Sequence, residues 1–274
     1  MSNIIDTHTH IFPERIARTA AHATAEFYLE PGTPLTPTLE EMMSESGTTD
    51  DLLTCAKEAG VDRCVVFSTA TTPEQVEHIN DFISAECRKH PEFIGVGTMH
   101  IDYPDFEKEC DRMLDLGLIG IKLHPDIQKF RVDDDRMLPL YEIMQAKGMF
   151  LISHTGDSRY DYSGPRRMKR LAELFPEMDF ICAHFAGWGE WDLAREIMKK
   201  DNIYMDTSST FGFGGTEMVK KALDVFDDTH IFFGSDYPMW NAKDELEKLR
   251  ALHLSDERME KILYQNFERF LQSR

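Results

Sequence analysis

Ile4-Ile5-Asp6-Thr7-His8-Thr9-His10 near the start of the chain, set beside Ile231-Phe232-Phe233-Gly234-Ser235-Asp236-Tyr237-Pro238 near its end, decides how the fold is read. In the first stretch an apolar run leads into two histidines two positions apart. Side chains alternate faces along a strand, so such a pair presents two imidazoles to one metal ion. Neutral imidazoles are borderline ligands suited to zinc, iron, nickel or cobalt, and a catalytic site takes about three protein ligands with one position left open. Further ligands must come from elsewhere. Phe150-Leu151-Ile152-Ser153-His154-Thr155-Gly156, Phe180-Ile181-Cys182-Ala183-His184-Phe185-Ala186-Gly187 and the stretch ending in Asp236 share one context, a buried strand closing on a ligand-type residue. Alone, a histidine there is more often a hydrogen-bonded structural residue, and an aspartate before Tyr-Pro a turn or cap. Together, His8, His10, His154, His184 and Asp236 call for one common rim.

Outward from these stretches, apolar runs alternate with helical patterns. Strands are expected at Ile4 to Thr7, Arg63 to Ser68, Ile94 to Met99, Ile119 to Leu123, Phe150 to Ser153, Asp179 to Ala183, Ile203 to Asp206 and Ile231 to Gly234. Thr72-Pro73-Glu74 supplies a cap, a proline at the first helical position and an acid for a helix ending near His90, and Thr49 with Asp50 and Asp51 starts one ending at Gly60. Strands joined by helical crossovers are parallel, and eight such units close into an α/β fold, the (β/α)8 TIM barrel. An open doubly wound sheet would place ligands at one switch point. Candidate ligands here follow strands one, five, six and eight, and only a closed ring brings the first and eighth together. All strand ends then share the face that carries barrel active sites. The segment 12–47 is too long for a simple connection; with a helical pattern from Arg15 to Phe27 and then Pro31, Pro34 and Pro37, it is expected as an insertion over that rim. A terminal helix follows Ser255-Asp256-Glu257. The whole chain, 1–274, is expected to form one domain.

The formal charge of −19 over 274 residues opposes a polyanionic partner, because nucleic-acid binding relies on Lys and Arg neutralising phosphates. Anionic membrane is disfavoured for the same reason, whereas a small carboxylate-bearing substrate is compatible with local arginines and a metal ion. Oligomeric state is left open, a homo-oligomer included. Cys55, Cys64, Cys87, Cys110 and Cys182 lack a Cys-x-x-Cys pair and fall in apolar patterns, as reduced core residues do. No signal-like leader or run of about 18 apolar residues occurs, so a soluble cytoplasmic protein is expected. No Gly-rich phosphate loop is present.

The opening Asp6-Thr7-His8-Thr9-His10, the Gly120-Ile121-Lys122-Leu123-His124-Pro125 stretch and the Gly234-Ser235-Asp236-Tyr237-Pro238 ending resemble the amidohydrolase superfamily, in its amidohydrolase-related branch. That branch includes 2-amino-3-carboxymuconate semialdehyde decarboxylase, other aromatic-acid decarboxylases and lactone hydrolases. The resemblance implies that His8, His10, His154 and Asp236 hold one divalent metal, by preference Zn2+, with Asp236 and His184 as catalytic residues. Asp236 would both touch the metal and accept a proton, and His184 would polarise the substrate oxygen or move a proton. Binuclear members carry a bridging carboxylated lysine or glutamate after strand four, where this chain has Lys122 and His124. Lys122 is expected one layer deeper than His124, which favours a mononuclear site over a second metal on carboxylated Lys122.

Around this rim, Arg159 offers a planar fork for an acidic substrate, against a reading as a solvated loop charge. His124 is a candidate substrate contact or a packed histidine. Trp188, Phe211, Phe213, Tyr237 and Trp240 can wall a ring or simply pack under loops. His100 is a weaker pocket candidate, and His22, His78, His90, His230 and His253 fall in surface or structural positions. The leading functional reading is a metal-dependent hydrolase of a small-molecule amide, lactone or ester-like bond using metal-activated water. The alternatives are non-oxidative decarboxylation of an aromatic or muconate-like acid on the same site, and a catalytically inactive metal-binding barrel.

Overall fold

The computed structural model of the chain describes residues 3–29 and 46–274; the reading of Pro31, Pro34 and Pro37 as part of a rim-covering insertion lies outside them. Nine strand segments occur in the described residues: β1 (Ile5–His10), β2 (Arg63–Phe67), β3 (Phe93–Gly95), β4 (Gly97–Thr98), β5 (Gly120–Leu123), β6 (Phe150–Ser153), β7 (Phe180–Cys182), β8 (Ile203–Asp206) and β9 (Ile231–Phe232). The single strand expected from Ile94 to Met99 is thus divided at Val96, between two glycines that weaken a strand interior. β1 runs to His10, beyond the expected Thr7, because Thr9 both donates its hydroxyl to the Val65 carbonyl at 2.7 Å and pairs in parallel with Tyr237.

Two helix starts differ from expectation. Thr48, not Thr49, caps the helix Thr49–Ala59, its hydroxyl accepting from the Asp51 amide at 3.2 Å; the helix stops where Gly60 turns left-handed at φ 74°. The helix expected from Pro73 begins at Gln75. The Gln75 side-chain oxygen takes the Thr71 amide at 2.8 Å, so Thr72-Pro73-Glu74 is consumed in a turn and no side chain caps the helix. Within the 12–47 segment, the helix Glu14–Tyr28 forms as expected, and Phe12 N donates to Gly47 O at 2.9 Å across the segment's two ends. The terminal helix is built in pieces, Asp256–Glu260 capped by Ser255, a π-turn Lys261–Gln265, and Asn266–Gln272, whose Phe267 and Phe270 rings meet Phe232.

The chain resolves into two compact units, residues 1–66 with 206–274, and residues 67–205. In the first, β1 lies beside β2 on one side and is bonded on the other to the segment that follows β9. Thr7 N donates to Phe233 O at 2.9 Å, Asp236 N to His8 O at 2.9 Å and His10 N to Tyr237 O at 2.8 Å. The first and last strands are therefore neighbours, which a ring of strands requires. In the second unit, β4, β5, β6, β7 and β8 form a continuous parallel ladder whose register aligns Leu123, Ser153 and Cys182. These strands are buried and read as near-continuous apolar runs, as parallel strands covered on both faces do. Met137, Met144 and Met198 fill the core, and Cys55, Cys64, Cys110 and Cys182 are buried in it. Among the described residues no helix is long and apolar enough to cross a membrane.

Candidate metal centre

In the first unit, the two-residue spacing on β1 places His8 and His10 on one face, their ring centroids 5.4 Å apart. The Thr9–Tyr237 pairing sets Asp236 beside them; its backbone is left-handed, φ 69°, and its amide is held by the His8 carbonyl. His8 Nε2 lies 3.4 Å and His10 Nε2 3.6 Å from the same atom, Asp236 Oδ1. These separations are long for hydrogen bonds, whose heavy atoms sit at about 2.7–3.2 Å. They match the roughly 3.4 Å that separates donor atoms around a tetrahedral ion with ligand bonds near 2.1 Å. Two imidazoles and a carboxylate are also a donor set that a divalent ion accepts, so the residues fit the metal.

The remaining edges of these side chains are held. Asp236 Oδ2 accepts from Ser209 Oγ at 2.5 Å, and Ser209 Oγ in turn accepts from Trp240 Nε1 at 2.9 Å. His8 Nδ1 lies 2.8 Å from Asp206 Oδ2. Asp6 Oδ1 accepts the amides of His8 at 3.1 Å and Ser235 at 2.9 Å, tying β1 to the Asp236 segment. Burial raises the Asp6 carboxyl to about 7, and its Oδ2 has no hydrogen-bond partner.

In the second unit the register explains the second histidine group. Leu123 is aligned with Ser153, so the following residues, His124 and His154, are neighbours, and their rings stack at 4.1 Å with planes 7° apart. His154 is fully buried; its Nε2 donates to Gly156 O at 2.7 Å, leaving Nδ1 to accept from His184 Nε2 at 3.0 Å. Burial first, then the neighbouring His124, His184 and Lys122, holds His154 well below the usual imidazole range, in the neutral form a ligand requires. His184 opens a run of three left-handed residues, His184, Phe185 and Ala186, at φ 61°, 48° and 58°. Such conformations cost roughly 1–3 kcal/mol each and persist where surrounding structure enforces them; Trp191 Nε1 donating to the His184 carbonyl at 2.9 Å is one such restraint.

The sequence-derived candidates are carried by both units, His8, His10, Asp236 and Trp240 by the first, and His124, His154, His184, Arg159 and Trp188 by the second. Lys122 is wholly buried with its ammonium 4.9 Å from the Phe67 ring centre. Arg159 stands over the Trp188 ring at 5.3 Å, and its fork is engaged by Asp157, Nε at 2.9 Å from Oδ1 and NH2 at 2.7 Å from Oδ2. It is not a solvated loop charge. His124 Nδ1 accepts from the Ile127 amide at 3.3 Å. The Phe213 ring packs against both Tyr28 and Trp240, as the packing alternative for the aromatics describes. Sequence reading passed over Asp206, Ser209, Asp6 and Asp126. Asp206 closes the run Ile203-Tyr204-Met205, the same context that singled out the other strand-end residues. Asp126, buried against Ser163, is raised to about 8 by burial, and its Oδ1 has no hydrogen-bond partner.

The sequence profile of the amidohydrolase family matches residues 5–272. No curated protein matches the sequence significantly. Solved structures with the same fold include an uncharacterised TIM-barrel protein from Bordetella bronchiseptica, 23% identical over 98% of each chain with a TM-score of 0.75. A probable 2-pyrone-4,6-dicarboxylic acid hydrolase from Acinetobacter baumannii is 13% identical over 96% of this chain and 97% of that one, TM-score 0.69. A 5-carboxyvanillate decarboxylase from Novosphingobium aromaticivorans, complexed with manganese and 4-hydroxy-3-methoxy-5-nitrobenzoic acid, is 15% identical over 98% and 96%, TM-score 0.70. These likenesses fix the fold as the TIM barrel.

Proposed function

Because the chain belongs to the amidohydrolase family over residues 5–272 and is an enzyme of that type, we propose that it hydrolyses a small-molecule amide, lactone or ester-like bond with one divalent metal ion. The observation that carries this reading is the convergence of His8 Nε2 and His10 Nε2 on Asp236 Oδ1 at 3.4 and 3.6 Å. In this reading His8, His10, Asp236 and His154 hold the ion, with Zn2+ the first expectation from two or three imidazoles and a carboxylate. Since its Nε2 is committed to Gly156 O, His154 would hold the ion only by exchanging the hydrogen bond that its Nδ1 accepts from His184. The ion supplies Lewis acidity to an oxygen it meets. Asp236 accepts a proton at the edge left open by Ser209, and His184 moves a proton through Nε2 or polarises the substrate.

The substrate class we propose is a small ring or chain bearing a carboxylate, acted on in the cytoplasm without nucleic acid or membrane. Trp188 offers a ring face and Arg159 a cation, which a substrate carboxylate would share with Asp157. Contacts by His124 and Trp240 complete the proposal. The same chemistry admits a second reading, non-oxidative decarboxylation of an aromatic acid; a solved decarboxylase shares this fold with manganese and a nitrobenzoic acid bound.

Elemental mass spectrometry of untagged protein tests the centre. About one zinc or manganese per chain, lost in His8→Ala/His10→Ala, is expected; two per chain would return carboxylated Lys122 to the argument, and none after loading removes the reading. With metal in place, assays on lactones, amides and aromatic acids separate the reactions, because carbon dioxide release without net hydrolysis selects the decarboxylase.

A further inference from the structure

Asp206 closes β8 with its side chain fully buried, and its Oδ2 lies 2.8 Å from Nδ1 of His8, 198 positions away in the chain. The carboxylate is itself fixed. Its Oδ1 accepts from the Ser208 amide at 3.1 Å and from the Ser208 hydroxyl, whose oxygen also stands 3.2 Å from His8 Nδ1. Close approach of the two residues depends on Gly234. A methyl group there would lie 2.9 Å from His8 Cβ and 3.3 Å from Asp206 Cβ.

An ionised carboxylate only accepts, so the nitrogen facing it must carry the proton. A neutral His8 ring therefore has its proton on Nδ1 and its lone pair on Nε2, the atom that faces Asp236 Oδ1 at 3.4 Å. A lone pair opposing a carboxylate oxygen is repulsive unless a cation stands between them. Resting on the metal reading above, we propose that Asp206 is the positioning residue of the centre. It locks His8 in the Nδ1–H tautomer, aims Nε2 at the ion and raises its basicity as a ligand. Without that acceptor the ring populates the Nε2–H tautomer as well, in which the coordinating lone pair is lost. Ligating histidines elsewhere donate their second nitrogen in this way, and removing the acceptor costs roughly 10–100-fold in metal affinity.

The test compares wild type, His8→Ala and Asp206→Asn by Zn2+ titration against a chelator of known affinity, with thermal melts of each metal-free protein. Asp206→Asn keeps the volume but, with its oxygen held by the Ser208 amide, turns its NH2 donor to His8 Nδ1 and removes the acceptor. A purely structural role predicts a shifted melt and unchanged Zn2+ affinity. The proposal expects affinity to fall roughly 10–100-fold. Affinity within twofold of wild type, while His8→Ala loses binding, overturns the role of Asp206 and leaves the metal centre standing. A wild type that binds no better than His8→Ala overturns both. Nitrogen-15 NMR of the zinc-loaded wild type, with His8 assigned by its absence in His8→Ala, reads the tautomer directly and needs no Asp206 variant. A proton on Nδ1 supports the proposal, and a proton on Nε2 overturns it.

Discussion

At Gly234 the absence of a side chain is what the site needs, since any Cβ would press on His8 at 2.9 Å. His8 is tied through its carbonyl to Asp236 and through its ring to Asp206, so the strain of Gly234→Ala falls on the candidate ligands. Overpacking of this kind costs typically about 1–3 kcal/mol. We expect Gly234→Ala to melt several degrees lower and to lose most of its metal, read by calorimetry and metal content; wild-type metal content would show that β1 can yield without moving His8. Ser209→Ala is the complementary case. It removes the donor to Asp236 Oδ2 and leaves the Trp240 indole without its acceptor, so metal affinity and activity should both drop, with a small change in melting. The sequence made His8 and His10 legible because a spacing of two has one meaning on a strand. Asp206 closes an apolar run as the other candidates do, but an aspartate there, like the serine at 209, also reads as a turn former until the fold brings their partners from 198 and 27 positions away.

Among the elements, strands were legible to within a few residues where apolar runs are bounded by turn formers, and less so where side-chain bonds redraw an end. Gln75 capturing the Thr71 amide, and glycines interrupting the expected third strand, are interactions that a helix-start pattern or an apolar run does not encode. The helix Ala242–Arg250 shows a buried acid of the same kind. Glu245 is 1% exposed, its Oε1 bound by Lys248 at 2.7 Å, and its Oε2 has no hydrogen-bond partner. Burial raises its carboxyl from the usual 4.5 to about 7. The unfolded chain therefore releases this proton before the folded one does. Below about pH 4.5 both forms are protonated and the group has no effect; as pH rises towards 7, only the unfolded state ionises and stability is progressively lost. Above pH 7 the penalty is complete, on the order of 3 kcal/mol from the difference between those two values. Glu245→Gln should be more stable than wild type at pH 8 and close to it at pH 4.5, measured by urea denaturation. An equal difference at both pH values would remove ionisation as the cause.

For the whole molecule, the chain leaves its first compact unit at residue 66, builds the second from 67 to 205, and returns to complete the first. The first unit cannot close without its last residues, because Thr7 on β1 is satisfied by Phe233, both its amide and its hydroxyl donating to that carbonyl. A ring with its first strand waiting on its last has few partial solutions, since an unpaired strand leaves backbone donors and acceptors unmatched. The family profile spans residues 5–272, a range that includes parts of both units. We therefore propose a single cooperative domain, and the three tryptophans allow it to be tested. Trp240 belongs to the first unit, and Trp188 and Trp191 to the second. Fluorescence of Trp188→Phe/Trp191→Phe reports the first unit and that of Trp240→Phe the second, each compared with circular dichroism of the same sample as urea is raised. One domain demands that fluorescence and circular dichroism coincide in each variant, with a common midpoint after allowing for the substitution's own effect. If either fluorescence curve separates from its dichroism curve, the two units unfold independently and the chain is two domains.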